Sequence, residues 1–331
     1  GLVKHGGGQR ARPGIEAENA VDRRPGTGEH REVETVILGL AVDDDQILGN
    51  AAIFLEPAAH LVLAAQRVDQ PVLQALLAAE DREKVLQGEP TDTMAAMGDF
   101  DTSPIFAVNV GCLRYAEDEI DRCLAAGVGQ YLVLGAGLDT FALRRNDLLG
   151  KVAVYEVDHP DVQALKIERI RAAGRVPATM PVFVAMDFET TGLDDALGEV
   201  GFDKTALSVA TWLNTTHYLS VEAIDTTLGD LATVLAPGSR LILNYAPDVA
   251  LSEDQIEFVT RLLSITDAAG EPLVSRFTPQ AFEQLLQSRG FNVIEHADEA
   301  ELTQRYFKDR NDGLYPGLPL RIIIAERSRD A

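Results

Sequence analysis

Two glycines near the middle of the chain carry the clearest chemical signal. They stand in the run Gly135-Ala136-Gly137, which follows an apolar segment and precedes Asp139. Because glycine has no Cβ, a ligand can approach the backbone closely there, and a helix that follows would present unpaired N–H groups at its start. Glu156 ends the next apolar segment, about 20 residues further on, where an acid can accept hydrogen bonds from ribose hydroxyls. The spacing predicts a site for a cofactor that contains adenosine.

Asp139 bears on which cofactor that is. A dinucleotide-binding fingerprint has glycine or alanine at the position of Thr140, and a carboxylate at Asp139 would repel a pyrophosphate. The same carboxylate suits a ligand with positive charge, such as S-adenosylmethionine, which carries a sulfonium and an amino group. Asp139 could instead only cap the following helix. The residues favour S-adenosylmethionine, and a nicotinamide-dependent oxidoreductase is an alternative.

The elements that must position these residues alternate from residue 130 onward. Short apolar segments, typical of strands buried in a parallel sheet, are separated by helical stretches. Five strands with helical crossovers and a terminal pair predict an α/β fold with a doubly wound, mostly parallel sheet. The predicted strands are 131–134, 152–157, 182–185, 206–211, 240–245, 291–295 and 320–326, and the clearest helices are 105–126, 161–173 and 221–235.

The chain is predicted to divide into three regions. Residues 1–35 are rich in glycine, arginine, proline and glutamate and are predicted to be a flexible tail. Apolar residues recur at helical spacing through 36–98, so residues 36–126 are predicted to form a helical N-terminal region that covers the pocket. Residues 127–331 are then the cofactor-binding domain.

Composition excludes several classes of protein. The 331 residues include 29 Lys and Arg and 52 Asp and Glu, a net charge of −23, which disfavours nucleic acid and anionic membranes as partners. No apolar run approaches the roughly 20 residues of a membrane span, no secretory signal is visible, and two cysteines cannot build a disulfide framework. We expect a cytoplasmic protein with a small-molecule substrate and no metal, and a homodimer is left open.

Five ordered motifs resemble a known family. LGAGLDTFALR, YEVDHPDVQALK, AMDF, YLSVEAI and AELTQRYF occur in this order within residues 105–326. They are similar to motifs of the leucine carboxyl methyltransferase family, which includes bacterial small-molecule O-methyltransferases. The resemblance implies a class I S-adenosylmethionine-dependent methyltransferase fold of seven strands, the last antiparallel, which agrees with the number of strands expected from the apolar segments.

The resemblance also implies roles for individual residues. The glycine loop, residues 135–139, would line the methionine part of the cofactor, and Glu156 would bind the ribose. Asp187 would accept a hydrogen bond from the adenine amine, and Phe188 would pack on the ring unless it only packs in the core. Of an Arg-Thr-Arg-like segment in the family only Arg114 is retained, and it could equally be a surface arginine. The complete predicted cofactor site is Gly135, Ala136, Gly137, Asp139, Glu156, Val157, Asp187, Phe188, Thr211 and Arg114.

The segment after the fourth predicted strand departs most from the family. Members carry Trp-Glu-Gly-Val-x-Met-Tyr-Leu at residues 212–219, whereas this chain has Leu213, Asn214 and His217 in place of the acid, the glycine and the methionine. Either the pocket is adapted to another substrate, or methyl transfer has been weakened or lost.

His217 and Tyr218 are the predicted catalytic residues. A carboxylate acceptor needs no base, whereas a hydroxyl needs a group that takes its proton, and histidine ordinarily titrates near neutral pH. His217 could instead be satisfied within its loop or stacked on Tyr218. The sequence predicts an O-methyltransferase acting on a hydroxyl or carboxylate of a small molecule, with natural-product biosynthesis as one setting. The alternative is an S-adenosylmethionine-binding protein that catalyses a different reaction or only binds.

Overall fold

The computed structural model of the protein describes residues 76, 83, 104–148, 150–172, 180–198, 200–268, 272–311 and 313–329. The predicted tail lies outside these residues, and so does nearly all of the predicted helical cover before residue 104. The boundaries expected for those two regions therefore stay predictions.

A seven-stranded sheet forms the centre of the fold. Its order is β3-β2-β1-β4-β5-β7-β6, with β1 to β5 parallel and β7 antiparallel to both of its neighbours. This confirms the predicted doubly wound, mostly parallel sheet with an antiparallel last strand. The strands are β1 (Gln130–Leu134), β2 (Ala153–Asp158), β3 (Val182–Ala185), β4 (Ser208–Trp212), β5 (Arg240–Tyr245), β6 (Phe291–Ala297) and β7 (Arg321–Arg327).

Helices connect the strands. They are α1 (Pro104–Ala125), α2 (Phe141–Arg144), α3 (Pro160–Ala172), α4 (Leu193–Gly198), α5 (Val221–Val234), α6 (Glu253–Ala268), α7 (Pro279–Ser288) and α8 (Glu299–Leu302). Short 3-10 turns cover Asn146–Leu148 and Thr216–Tyr218, and a π-helical turn covers Thr303–Phe307. Within the described ranges, none of these helices combines the length and apolar character that a membrane span requires.

The helices bury both faces of the sheet. On one face Tyr115 of α1 joins Val133 of β1 in an apolar cluster. On the other face Leu228 of α5 and Phe282 of α7 pack with Leu241 of β5. Because both faces are covered, every residue of β1 and of β4 is buried, as expected for central strands of a parallel sheet.

The strand order reverses between β1 and β4. The chain leaves β1 toward β2 and β3 on one side, and leaves β4 toward β5 on the other. Leu134 and Trp212, the last residues of the two strands, are paired in register. Ligands of such sheets bind at this reversal, beyond the carboxyl ends of the strands. The fold therefore brings the glycine loop beside the segment that follows β4.

Candidate active site

The glycine loop is held against the end of β2. The N–H of Ala136 donates to the carbonyl oxygen of Val157 (3.2 Å), and the N–H of Gly137 donates to Oδ2 of Asp158 (2.5 Å). The side chain of Val157 is buried in the core. Val157 thus contacts the loop through its backbone, while Asp158 contacts it through its carboxylate.

The space beside Gly135 is filled by the protein itself. Gly135 has a φ of +62°, and a Cβ added to it would lie 2.1 Å from Oγ1 and 2.8 Å from Cγ2 of Thr215. The direction that a Cβ of Gly135 would take is occupied by Thr215, from the loop after β4, and a contact between the Gly135 backbone and a ligand stays a prediction. Glycine is required here by the left-handed backbone and by the contact between the two loops.

Asp139 lies one residue before Thr140, the N-cap of the short helix α2. Its Oδ1 accepts a hydrogen bond from the N–H of Phe141 (2.7 Å), which stabilises the turn that leads out of the glycine loop. The N-cap position that the sequence left open for Asp139 is occupied by Thr140, and a contact between Asp139 and a cofactor stays a prediction.

A buried ion pair lies near the end of β2. Oε2 of Glu156 is 2.5 Å from Nζ of Lys166 on α3, and each side chain is 1% exposed. Oε1 of Glu156 is buried and has no hydrogen-bond partner among the described residues. Burial raises the pKa of Glu156 to about 7, and the charge of Lys166 opposes that shift. The strand also continues two residues beyond Glu156, so Glu156 does not end it, and its contact with a ribose stays a prediction.

Asp158, the last residue of β2, borders the space beyond the carboxyl ends of the strands, which we call the crevice. Asp158 is not among the residues predicted from the sequence. Its Oδ1 accepts from the N–H of His159 (2.7 Å), and its Oδ2 holds Gly137. Burial raises the pKa of Asp158. Since side chains alternate along a strand, Asp158 and Glu156 lie on the same face of β2, and this spacing of two is the signal that could have found it. Both acids are candidates to bind a ribose.

Asp187 and Phe188 follow β3, as predicted. The two carboxylate oxygens of Asp187 accept from the N–H of Glu189 (2.9 Å) and the hydroxyl of Thr190 (2.8 Å). Phe188 stacks on Trp212, with ring centroids 5.8 Å apart and an interplanar angle of 19°. Asp187 therefore shapes a turn and Phe188 packs on the core, while their contacts with adenine stay predictions.

Thr211 and Arg114 have other partners. Oγ1 of Thr211 lies 2.8 Å from the hydroxyl of Tyr131 and is buried. Arg114 on α1 has a side chain 60% exposed and forms an ion pair with Asp118 (2.6 Å). Neither contact involves the glycine loop: the Thr211 hydroxyl is engaged in the core, and Arg114 lies at the surface. Contacts of the two residues with a cofactor stay predictions.

The segment after β4 explains two of the departures from the family pattern. Asn214 has a φ of 56°, a conformation that glycine adopts freely and asparagine tolerates better than most residues. Leu213 is half-buried and packs against the apolar cluster under α1. Asn214 thus replaces the family's glycine in the same left-handed backbone conformation, and Leu213 replaces the family's acid with an apolar side chain that packs in the core.

His217 and Tyr218 lie together in the 3-10 turn that follows this segment. Their ring centroids are 4.3 Å apart at an interplanar angle of 54°, a tilted contact rather than the stacked arrangement that the sequence left open. Nδ1 of His217 is buried without a hydrogen-bond partner in the described part of the chain, and burial lowers the pKa of His217 to about 4. The expectation that this side chain titrates near pH 7 is wrong, since desolvation disfavours its charged form. His217 is a neutral imidazole at neutral pH.

The depressed pKa of His217 predicts a loss of stability in mild acid. The unfolded chain binds a proton at His217 near pH 6.5, whereas the folded chain binds it only near pH 4. The contribution of neutral His217 to the free energy of unfolding is therefore complete above pH 6.5 and is lost as pH falls toward 4. We expect the free energy of unfolding of the wild type to fall by roughly 1–3 kcal/mol more than that of His217→Gln between pH 7 and pH 4.5. Urea unfolding at both pH values measures this, and equal decreases would contradict the buried, neutral histidine.

The crevice is acidic, and its residues fit S-adenosylmethionine. Asp139, Asp158 and Asp187 follow or end the strands that border it, and Lys166 is already paired with Glu156. A pyrophosphate would be repelled there, whereas a sulfonium and an ammonium group would be attracted. The unpartnered Oε1 of Glu156 is a buried acceptor that a ribose hydroxyl could satisfy, and such atoms in proteins normally have a partner.

Comparison with known proteins agrees with S-adenosylmethionine as the cofactor. The family described as leucine carboxyl methyltransferase matches residues 53–232. The “Putative S-adenosyl-L-methionine-dependent methyltransferase YktD” of Bacillus subtilis is 31% identical over 230 residues, which are 69% of this chain and 74% of the relative. A “putative S-adenosyl-L-methionine-dependent methyltransferase” of Mycobacterium bovis is 36% identical over 133 residues, 39% of this chain and 42% of the relative.

A solved structure shows the same fold. The crystal structure of a “putative methyltransferase” from Thermobifida fusca superposes with a TM-score of 0.52 at 20% identity, covering 74% of this chain and 92% of that one. The ordered motifs, the sheet topology and the extent of the family match lead to one conclusion: the chain belongs to the leucine carboxyl methyltransferase family of S-adenosylmethionine-dependent methyltransferases.

Proposed function

We propose that the protein methylates a hydroxyl oxygen of a small molecule, with S-adenosylmethionine as the methyl donor. The observation that carries the proposal is Nδ1 of His217, which is buried and has no hydrogen-bond partner among the described residues, in the segment whose Thr215 packs on Gly135. A substrate hydroxyl can donate a hydrogen bond to such a nitrogen, whereas an ionised carboxylate has no proton to donate.

The residues that would hold the cofactor border the end of the sheet. The glycine loop would contact its methionine part, Glu156 and Asp158 its ribose, and Asp187 and Phe188 its adenine. When bound, S-adenosylmethionine supplies an electrophilic methyl group on a positively charged sulfur. The protein's own contribution is to align the acceptor with that group and to exclude water, and positioning of this kind can contribute about 7–11 kcal/mol.

His217 would accept the proton of the acceptor hydroxyl. A hydroxyl oxygen becomes strongly acidic once it carries a third substituent, so even an imidazole with a pKa of about 4 can take its proton. Before transfer, the same nitrogen would orient the hydroxyl by accepting its hydrogen bond. Tyr218, whose ring lies in tilted contact with His217, would limit the rotation of the imidazole.

Charge favours a hydroxyl over a carboxylate acceptor. The net charge of −23 provides no attraction for an anion, and nearby cations are engaged: Lys166 by Glu156, and Arg144 by Glu117 at 2.5 Å. Of the described residues near the crevice, Lys166 and Arg144 are thus not free to pair with a carboxylate, and an unpaired carboxylate there would bear a desolvation cost. A neutral acceptor avoids that cost.

Transfer of labelled methyl groups to a panel of phenols, alcohols and carboxylic acids tests the proposal. We expect transfer to at least one hydroxyl compound, and a decrease of about 100-fold or more in kcat for His217→Ala with that compound. The affinity for S-adenosylmethionine, measured by calorimetry, should change little in this variant, because His217 acts on the acceptor. Transfer to carboxylic acids alone would overturn the hydroxyl assignment.

A second function is supported by Leu213, which replaces the family's acid with apolar packing. A protein without that anchor could bind S-adenosylmethionine and not transfer its methyl group. Tight binding of the cofactor together with no transfer to any compound of the panel would favour this alternative.

A further inference from the structure

Asn244 lies on β5 and is completely buried. The donor and the acceptor of its side-chain amide both form hydrogen bonds with one distant residue, Asn214. Its Nδ2 donates to Oδ1 of Asn214 (2.7 Å), and its Oδ1 accepts from the N–H of Asn214 (2.7 Å). This exchange joins β5 to the loop after β4. A buried amide with such paired bonds specifies one geometry, because any other arrangement leaves polar atoms unsatisfied.

The two hydrogen bonds between Asn244 and Asn214 form at a residue whose backbone is strained. Asn214 is the only residue other than glycine with a positive φ among the described residues, and a left-handed conformation costs most residues about 1–2 kcal/mol. Both hydrogen bonds from Asn244 are made with Asn214 in this conformation. They therefore compensate a strain that glycine, the family's residue here, would not have.

The conformation of Asn214 decides where the next residues lie. Thr215 follows it directly and packs on Gly135 of the glycine loop. The hydroxyl of Thr216 donates to the carbonyl oxygen of Asn244 (2.7 Å), and the N–H of Val274 donates to the carbonyl oxygen of His217 (2.8 Å). The loop after β4 is thus fixed at successive points, and Asn244 makes three of these bonds.

We propose that Asn244 is a positioning residue: its paired bonds with Asn214 set the loop after β4 so that Thr215 supports the glycine loop and His217 stands at the crevice. The assignment rests on the proposed function only in that the affinity for S-adenosylmethionine is one of its two readouts. The other readout, hydrogen–deuterium exchange of the backbone, requires no ligand.

Three variants test it. In Asn244→Ala we expect faster hydrogen exchange in residues 213–217 and 135–139, and a Kd for S-adenosylmethionine raised about tenfold, which corresponds to about 1.4 kcal/mol. Adding Asn214→Gly should restore both readouts to within about threefold of the wild type, because glycine adopts the left-handed conformation without support. Asn244→Asp keeps the acceptor for the Asn214 N–H and loses the donor. Its exchange rates and its Kd should therefore lie between those of Asn244→Ala and those of the double variant.

Asn292→Ala on β6 is the matched control, since Asn292 is exposed, and neither readout should change in it. Unchanged exchange in folded Asn244→Ala would overturn the proposal. So would a failure of Asn214→Gly to rescue the double variant, because Asn244 would then act by another route. If the wild type does not bind S-adenosylmethionine, the proposed function fails, and the exchange data still decide the role of Asn244.

Discussion

Gly135→Ala is expected to destabilise the protein by about 3 kcal/mol and to abolish measurable binding of S-adenosylmethionine. About 1–2 kcal/mol of this comes from the left-handed backbone, at a φ of +62°. The rest comes from overlap, since the new Cβ would lie 2.1 Å from Oγ1 of Thr215, and overpacking typically costs about 1–3 kcal/mol. Relief of that overlap requires one of the two loops of the crevice to move. Urea unfolding and calorimetric titration measure the two effects.

Gly150→Ala is the control for this variant. Gly150 also has a positive φ, +70°, but an added Cβ would meet nothing within 4 Å. It should therefore show the backbone cost alone, about 1–2 kcal/mol. Thr215→Ala in the Gly135→Ala background removes Oγ1 and Cγ2 and should recover part of the stability. Equal destabilisation by the two glycine substitutions would show that Thr215 does not fill the space beside Gly135.

Lys166→Met is expected to destabilise the protein by about 3–5 kcal/mol at pH 8, because it leaves the carboxylate of Glu156 buried and uncompensated. The loss should be smaller at pH 5. Without Lys166 the pKa of Glu156 rises further above its value of about 7, so the folded protein holds a proton there that the unfolded chain, with a pKa near 4.5, has largely released. A group with a raised pKa stabilises the fold below the unfolded pKa, and this contribution is lost as pH rises through the folded pKa.

Two further variants separate this effect from a general loss of lysine. The double variant Glu156→Gln, Lys166→Met removes both charges and should recover most of the stability. Lys204→Met removes a lysine that pairs with Asp194 at the surface, and exposed pairs contribute only about 0–1 kcal/mol. A pH-independent loss in Lys166→Met would contradict the buried charge as its cause. Thermal or urea unfolding at pH 5 and pH 8 makes the comparison.

Most of the fold was predictable because its signals are local. The apolar runs predicted β3 and β5 with their observed limits, and the other strands to within two residues. Helices α6 and α7 were not identified. Apolar residues recur at helical spacing in α6, as Ile256, Val259 and Leu263 do, although its apolar side chains are largely half-buried or exposed. The start of α7, where Thr278 caps the helix ahead of Pro279, is a local signal that the sequence analysis left unused.

The family, the sheet and the position of the glycine loop follow from local patterns, because ordered motifs and the periodicity of apolar residues depend on near neighbours along the chain. The partners of the site residues, by contrast, come from distant parts of the chain and depend on the assembled fold. Thr215 fills the space beside Gly135, Lys166 engages Glu156, and Asn244 holds Asn214. The protonation of His217 follows from burial by the assembled fold. Burial and pairing depend on which distant segments meet, and spacing along the chain does not report that.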